Sequence, residues 1–192
     1  ALVGGGLRAK PGEMALAHHG VLFLDELPEF QPRVLEAIRQ PIETGEAVVA
    51  RANYHITYPA RFQLVTAMNP CKCGMAGEPG HVCRTGPRCA ADYQSRISGP
   101  LLDRLDVQIE LAAVKASDLT LPPPKEKSVD VARRVAAARD IQRARFLARG
   151  LDNLRTNAQA DGTILEEIAA LDAAGTALIG DAADAMTLSA RG

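Results

Sequence analysis

The chain has 192 residues, 47% of them hydrophobic, enough for one domain of ordinary size or one with a small appendage. Its 22 Lys and Arg nearly balance 23 Asp and Glu, a formal net charge of -1, which excludes the global basic field that by itself draws a protein onto nucleic acid. No apolar run approaches the roughly 20 residues that span a bilayer, and the N-terminus carries neither a charged n-region nor a cleavage signature, so the expectation is a cytoplasmic protein with no membrane contact.

Gly20 to Glu26 is a short apolar run ending in two acids, which predicts a strand buried on both faces of a parallel sheet. Pro32 suits a first helical turn, and Val34, Leu35, Ile38 and Ile42 follow at helical spacing until Thr44 and Gly45 end the segment. Strand, turn and helix together predict an α/β core. Ala47 to Arg51 and His55 to Tyr58, separated by Ala52, Asn53 and Tyr54, read as a hairpin, and Arg61 to Ala67 as a second sheet strand.

Residues Cys71 to Cys89 hold all the cysteines among glycines and prolines, which predicts an irregular loop too long for a compact domain unless something pins it. A helix is expected over Ala90 to Ile97, a turn at Ser98-Gly99-Pro100 and a third sheet strand over Val107 to Leu111. Leu121 to Pro124, followed by Lys125-Glu126-Lys127, is the linker, and beyond it the pattern is helical over Val129 to about Arg149, Gly162 to Leu171 and Ala173 to Leu188.

Asp25-Glu26 at the end of an apolar strand has the Walker B arrangement, because a carboxylate at the C-terminal edge of a parallel sheet lies where phosphates and Mg²⁺ bind. Asp25 would hold Mg²⁺ through water and Glu26 would polarise the attacking water; two acids also end many buried strands with no such role. Asn69 ends the next strand, where a neutral amide can bond the attacking water or the γ-phosphate as a sensor 1 residue does, although Asn-Pro is also a common turn initiator.

Arg104 lies just before the expected third strand, placed either to reach the γ-phosphate of a neighbouring subunit or to pair with Asp103 or Asp106 at the surface. Arg96 is a second candidate for the same work. Cys71, Cys73, Cys83 and Cys89 supply enough thiolates for a tetrahedral structural Zn²⁺, with His81 as a substitute ligand; the alternative is four reduced thiols. The arginines of the helix from Val129 read as a solvated face, and His18-His19 as capping or packing residues, since adjacent side chains point in different directions.

The string from Ala1 to Gly6, Gly20 to Phe30, Ala67-Met68-Asn69-Pro70-Cys71 and Tyr93 to Arg104 together resemble the magnesium-chelatase-like AAA+ family, in its ComM/YifB branch. The resemblance implies a partial AAA+ P-loop NTPase core over residues 1–120, a linker over 121–128 and an all-helical lid over 129–192. It also implies a ring, usually hexameric, that uses ATP and Mg²⁺ to translocate single-stranded or branched DNA and promote branch migration in natural transformation. On this resemblance Asp25 and Glu26 fall on the Walker B acids, Asn69 on sensor 1, Arg104 on the arginine finger and Arg191 on the sensor 2 arginine of the lid. Arg51 and His55, in the hairpin before sensor 1, would then lie near DNA.

One departure matters for activity. No Gly-x-x-x-x-Gly-Lys-Ser/Thr occurs, and Gly4 to Pro11 lacks both its spacing and its hydroxyl residue. In the family that loop and its strand come before Ala1 and the lid continues past Gly192, so the chain is expected to be cut at both ends, to leave unpaired sheet edges and to hydrolyse no ATP alone. The alternatives are the ATPase subunit of magnesium chelatase itself, or a non-catalytic assembly module.

Overall fold

The computed structural model describes residues 2–6, 8–51, 54–74, 76, 83, 85–112, 114, 116–123 and 125–186, and leaves aside the side chains of Arg51, Tyr54, Ala116 and Leu119. The described residues divide into two compact units, one up to Leu111 and one from Ala112 onward. The first is mixed α/β and the second is helical.

The first unit opens with a small antiparallel pair, β1 (Gly4–Gly5) and β2 (Lys10–Pro11), and one helical turn, α1 (Glu13–Leu16). Gly12 sits where that pair closes on itself: a Cβ there would lie 2.2 Å from the Leu2 carbonyl oxygen and 2.3 Å from the Gly4 nitrogen. Next come β3 (Val21–Leu24), α2 (Pro32–Thr44), β4 (Glu46–Arg51), β5 (Tyr54–Pro59) and β6 (Gln63–Thr66).

Pro32 starts α2, and Gly45 ends it in the left-handed region at φ 72°, its N–H donating to the Pro41 carbonyl. Helical spacing puts Leu35 and Ile38 on the buried face, as the apolar pattern requires. The hairpin β4–β5 runs in register from Glu46 opposite Pro59 to Arg51 opposite Tyr54. The Tyr58 hydroxyl ties it to the N-terminal segment by donating to the Ala9 carbonyl at 2.8 Å.

β3 and β6 pair in parallel, from Val21 opposite Gln63 to Leu24 opposite Thr66. Leu22 and Leu24 point into a core shared with Met14, Leu27, Leu35, Ile38, Ala47, Ala60, Ile97 and Leu101. The other face departs from the expectation of a strand buried on both sides: Val21 and Phe23 are 58% and 59% exposed, because no element among the described residues covers them.

A third sheet strand over Val107 to Leu111 is not formed either. The segment alternates apolar and polar as a strand would, yet Val107, Ile109 and Leu111 are 76%, 76% and 85% exposed and no described strand offers them a ladder. A strand is defined by its neighbour, and alternation alone does not supply one. The expected helix after the cysteine loop is shorter, α3 (Cys89–Gln94), and the expected turn at Ser98-Gly99-Pro100 is the start of α4 (Gly99–Leu102). Ser98 caps α4, its Oγ accepting from the Leu101 N–H at 3.3 Å, and Pro100 occupies the first turn, where its missing N–H costs nothing.

The second unit contains α5 (Ser128–Leu147), α6 (Gly162–Ile168) and α7 (Ala173–Met186). Asp130 starts α5 by accepting from the Lys127 N–H at 3.2 Å, and Gly150 follows its end at φ 70°. Phe146 is the buried hydrophobic residue of this unit among those described. The Arg145 guanidinium lies 5.4 Å from the centroid of its ring.

Candidate active site

The hydrogen bonds at the C-terminal ends of β3 and β6 fix how the acids are presented. The Ala67 N–H donates to the Leu24 carbonyl at 3.0 Å, and the Leu27 N–H donates back to the Ala67 carbonyl at 3.1 Å. Ala67 therefore grips both sides of Asp25-Glu26 and forces those two residues to bulge from the end of the sheet. Asn69 follows two positions later, on the same edge, and all three side chains are exposed.

The bulge is tight. Glu26 adopts φ 50°, ψ 47°, a left-handed conformation uncommon for a residue with a Cβ, and its N–H donates to Asp25 Oδ1 at 2.8 Å. A short 3₁₀ turn, Leu27–Glu29, then drives Leu27 and Pro28 into the core. Such strain is found where surrounding structure over-determines the backbone, and it concentrates at functional sites.

Arg96 is brought to the same edge. Its Nη1 donates to the Pro28 carbonyl at 3.2 Å and lies 3.5 Å from Glu29 Oε2. Tyr93, buried on α3, feels the same charges: its phenol is held above its ordinary range first by burial and then by the carboxylates of Glu29, Glu26 and Asp25, with Arg96 opposing. The neighbouring Gln94 donates from Nε2 to the Pro70 carbonyl at 2.9 Å, tying α3 to the chain just past Asn69. Sequence reasoning gave Tyr93, Gln94 and Glu29 no role of their own. The available signal was the three-residue spacing of Tyr93 and Arg96, which places them near one another on one side of a helical turn.

Arg104 lies elsewhere in the unit. Its guanidinium pairs with the Glu43 carboxylate near the end of α2 and with the Pro100 carbonyl, and the side chain is 12% exposed. Glu36, two turns earlier on α2, receives Ser98 Oγ and the Arg39 guanidinium, and these donors hold its carboxyl below the usual range. His55 stands exposed on the hairpin opposite Ala50, while the Arg51 side chain, His81 and Arg191 lie outside the described residues. His18 packs, as expected of a residue in its position: its Nδ1 accepts from the Arg61 N–H at 3.1 Å and its ring contacts His19.

The cysteines converge. The sulfurs of Cys71, Cys73, Cys83 and Cys89 all lie within 4.8 Å of one another, with Cys73 Sγ 3.1 Å from both Cys71 Sγ and Cys83 Sγ. Cys71 and Cys89 are buried and the other two half-buried.

Residues 1–119 match the family described as magnesium chelatase, subunit ChlI, and residues 125–192 match its C-terminal region. Over 146 residues, 76% of this chain and 28% of the relative, the sequence is 49% identical to competence protein ComM of Haemophilus influenzae. It is 49% identical to YifB of Escherichia coli over 143 residues, covering 74% of this chain and 28% of that protein. The Magnesium-chelatase 38 kDa subunit of Cereibacter sphaeroides matches over 70 residues at 36% identity, 36% of this chain and 21% of the relative. The chain thus spans less than a third of the length of the ComM and YifB relatives. With a strained acid pair at the end of a parallel strand pair and these matches along nearly its whole length, the chain belongs to the magnesium-chelatase-like family, in its ComM/YifB branch.

Proposed function

We propose that this chain supplies the metal-binding, water-activating and phosphate-sensing part of an ATP site in a ring-forming AAA+ motor that moves single-stranded or branched DNA. The observation that carries this reading is the Asp25-Glu26 bulge, gripped through Ala67 on the edge that also presents Asn69.

The donor set suits the group it would hold. Mg²⁺ takes oxygen ligands and keeps several waters, and Asp25 offers an exposed carboxylate fixed by one backbone donor. When bound, Mg²⁺ neutralises charge on the β- and γ-phosphates of ATP. Glu26, next to Asp25 in the chain, would accept a proton from the attacking water and orient it. Asn69 donates or accepts at the γ-phosphate edge without adding charge. Arg96 is ready to balance negative charge on this edge within its own subunit. Arg104 would act as the finger on a neighbour's nucleotide, which requires it to leave Glu43; Arg191 would act from the lid. Arg51 and His55 would face DNA on the hairpin.

No phosphate-binding loop occurs among these 192 residues, so the chain alone is expected to turn over no ATP. The test is ATP turnover by the longer protein that carries this segment, with and without forked DNA, alongside Glu26→Gln. The expected outcome is turnover stimulated by DNA, reduced by about 10²-fold or more in the variant with nucleotide binding retained. Turnover indifferent to DNA favours a chelatase-type motor, and turnover unchanged by the substitution removes Glu26 from the chemistry.

A further inference from the structure

The cysteine cluster has no part in the nucleotide reading. Cys71 lies two residues after Asn69, just past the end of β6, and Cys89 begins α3, which carries Tyr93 and ends two residues before Arg96. Whatever holds these sulfurs together joins the two ends of a 19-residue segment, Cys71 to Cys89, in which no helix or strand occurs before Cys89 among the described residues.

Thiols have little reason to gather on their own. An S–H group is a weak donor and a sulfur a weak acceptor, so four of them together do not offset the entropy of holding four side chains in one place. Disulfides do not account for the arrangement. Cys73 Sγ stands equally far, at 3.1 Å, from Cys71 Sγ and Cys83 Sγ, and no disulfide joins any of the four. A Cys71–Cys73 bridge would also force two nearly adjacent residues into strained geometry.

A single tetrahedral ion does account for it. With Zn–S bonds of about 2.3 Å, neighbouring sulfurs in a tetrahedron stand about 3.8 Å apart. The observed spread, 3.1 Å for the close pairs and at most 4.8 Å overall, brackets that figure and is too small for a polynuclear iron–sulfur core. Two buried and two half-buried ligands leave no open coordination position, which is the form of a structural centre. Soft thiolates select zinc over the hard cations that suit Asp25.

We infer that Cys71, Cys73, Cys83 and Cys89 form a structural Zn²⁺ centre that clamps the end of β6 to the start of α3, so that Asn69, Tyr93 and Arg96 are carried on one rigid piece. Binding releases the protons of whichever thiols are not already ionised, and the resulting centre carries two negative charges beside Lys72 and Arg88 in the sequence. The bond from Gln94 to the Pro70 carbonyl is the second, weaker fastening across the same gap.

The test is elemental analysis of the full chain purified without chelator, with thiol alkylation followed before and after zinc removal. About one zinc per chain is expected, with all four cysteines protected from alkylation until a mercurial or chelator is added. Cobalt substitution should give the visible bands of a tetrahedral thiolate site. The buried ligands carry a folding risk, so the variants are Cys73→Ser and Cys83→Ser, each expected to retain zinc at least about tenfold less well against a competing chelator. Metal-free protein whose four thiols react at once, iron in place of zinc, or variants that hold zinc unchanged would each overturn the assignment. None of these readouts involves nucleotide, so the centre and the ATP site fail or stand separately.

Discussion

The two units of this chain become ordered by different means. Up to Leu111, strands and helices converge on one core in which Leu22, Leu24, Leu35, Ile38 and Leu101 are nearly inaccessible to water. From Ala112 onward, among the described residues, three α-helices form with Phe146 as the buried hydrophobic residue, while Val129, Val135, Ile141, Leu165, Leu178 and Ile179 remain exposed. The second unit's helices are therefore explained by local terms: alanine and arginine content, the Asp130 start signal, and ion pairs such as Arg133 with Asp130. The first unit cannot be explained that way, because a parallel strand pair exists only when distant residues meet. One unit is specified by who its residues touch and the other by who their sequence neighbours are.

Substitutions can break this contrast. Ile38→Ala should show the largest effect, about 2–5 kcal/mol on the denaturant stability of the first unit, with hydrogen exchange of α5 little changed; equal loss in both units would mean they fold as one. Ser98→Ala should cost about 0.5–2 kcal/mol by removing the cap of α4, measured by the same denaturation. At the other end, Val135→Ala on α5 should stay within about 0.5 kcal/mol, and a larger loss would show that this face is covered in solution.

A pH series sharpens the comparison within the first unit. Burial, then the charges of His19 and Arg61, hold His18 below the ordinary imidazole range, and its Nδ1 must be unprotonated to accept from the Arg61 N–H. A base whose folded value is depressed contributes stability that is full above its ordinary range and is lost as pH falls through the folded value. Acidification across that window should therefore weaken the first unit, and His18→Gln, which keeps an acceptor without titrating, should flatten the slope. A slope unchanged by the substitution would locate the effect in another group.

Much of the architecture was legible because it is written locally. The apolar run before Asp25 gives β3, the Pro32 to Gly45 interval gives α2 with its cap, and the alternation around Asn53 gives β4 and β5. The α5 boundaries follow from the same start and stop chemistry. Val107 to Leu111 carried the same alternation and formed no strand, since pattern states which face is apolar and cannot state whether a neighbour is present. Of the candidate site, the placement of the two acids and of Asn69 just past strand ends was legible. Glu43 facing Arg104 across 61 positions, and Tyr93 lying in the field of Glu26, are tertiary meetings with no local trace.

The left-handed backbone at position 26 has one more consequence. Glycine and asparagine rest comfortably at φ 50°, whereas glutamate does not, so the chain keeps an acid at a place where its own folding would be better served by another residue. A hunt for hardier variants judged only by melting temperature would favour those two replacements at this position and erase the acid without registering any loss.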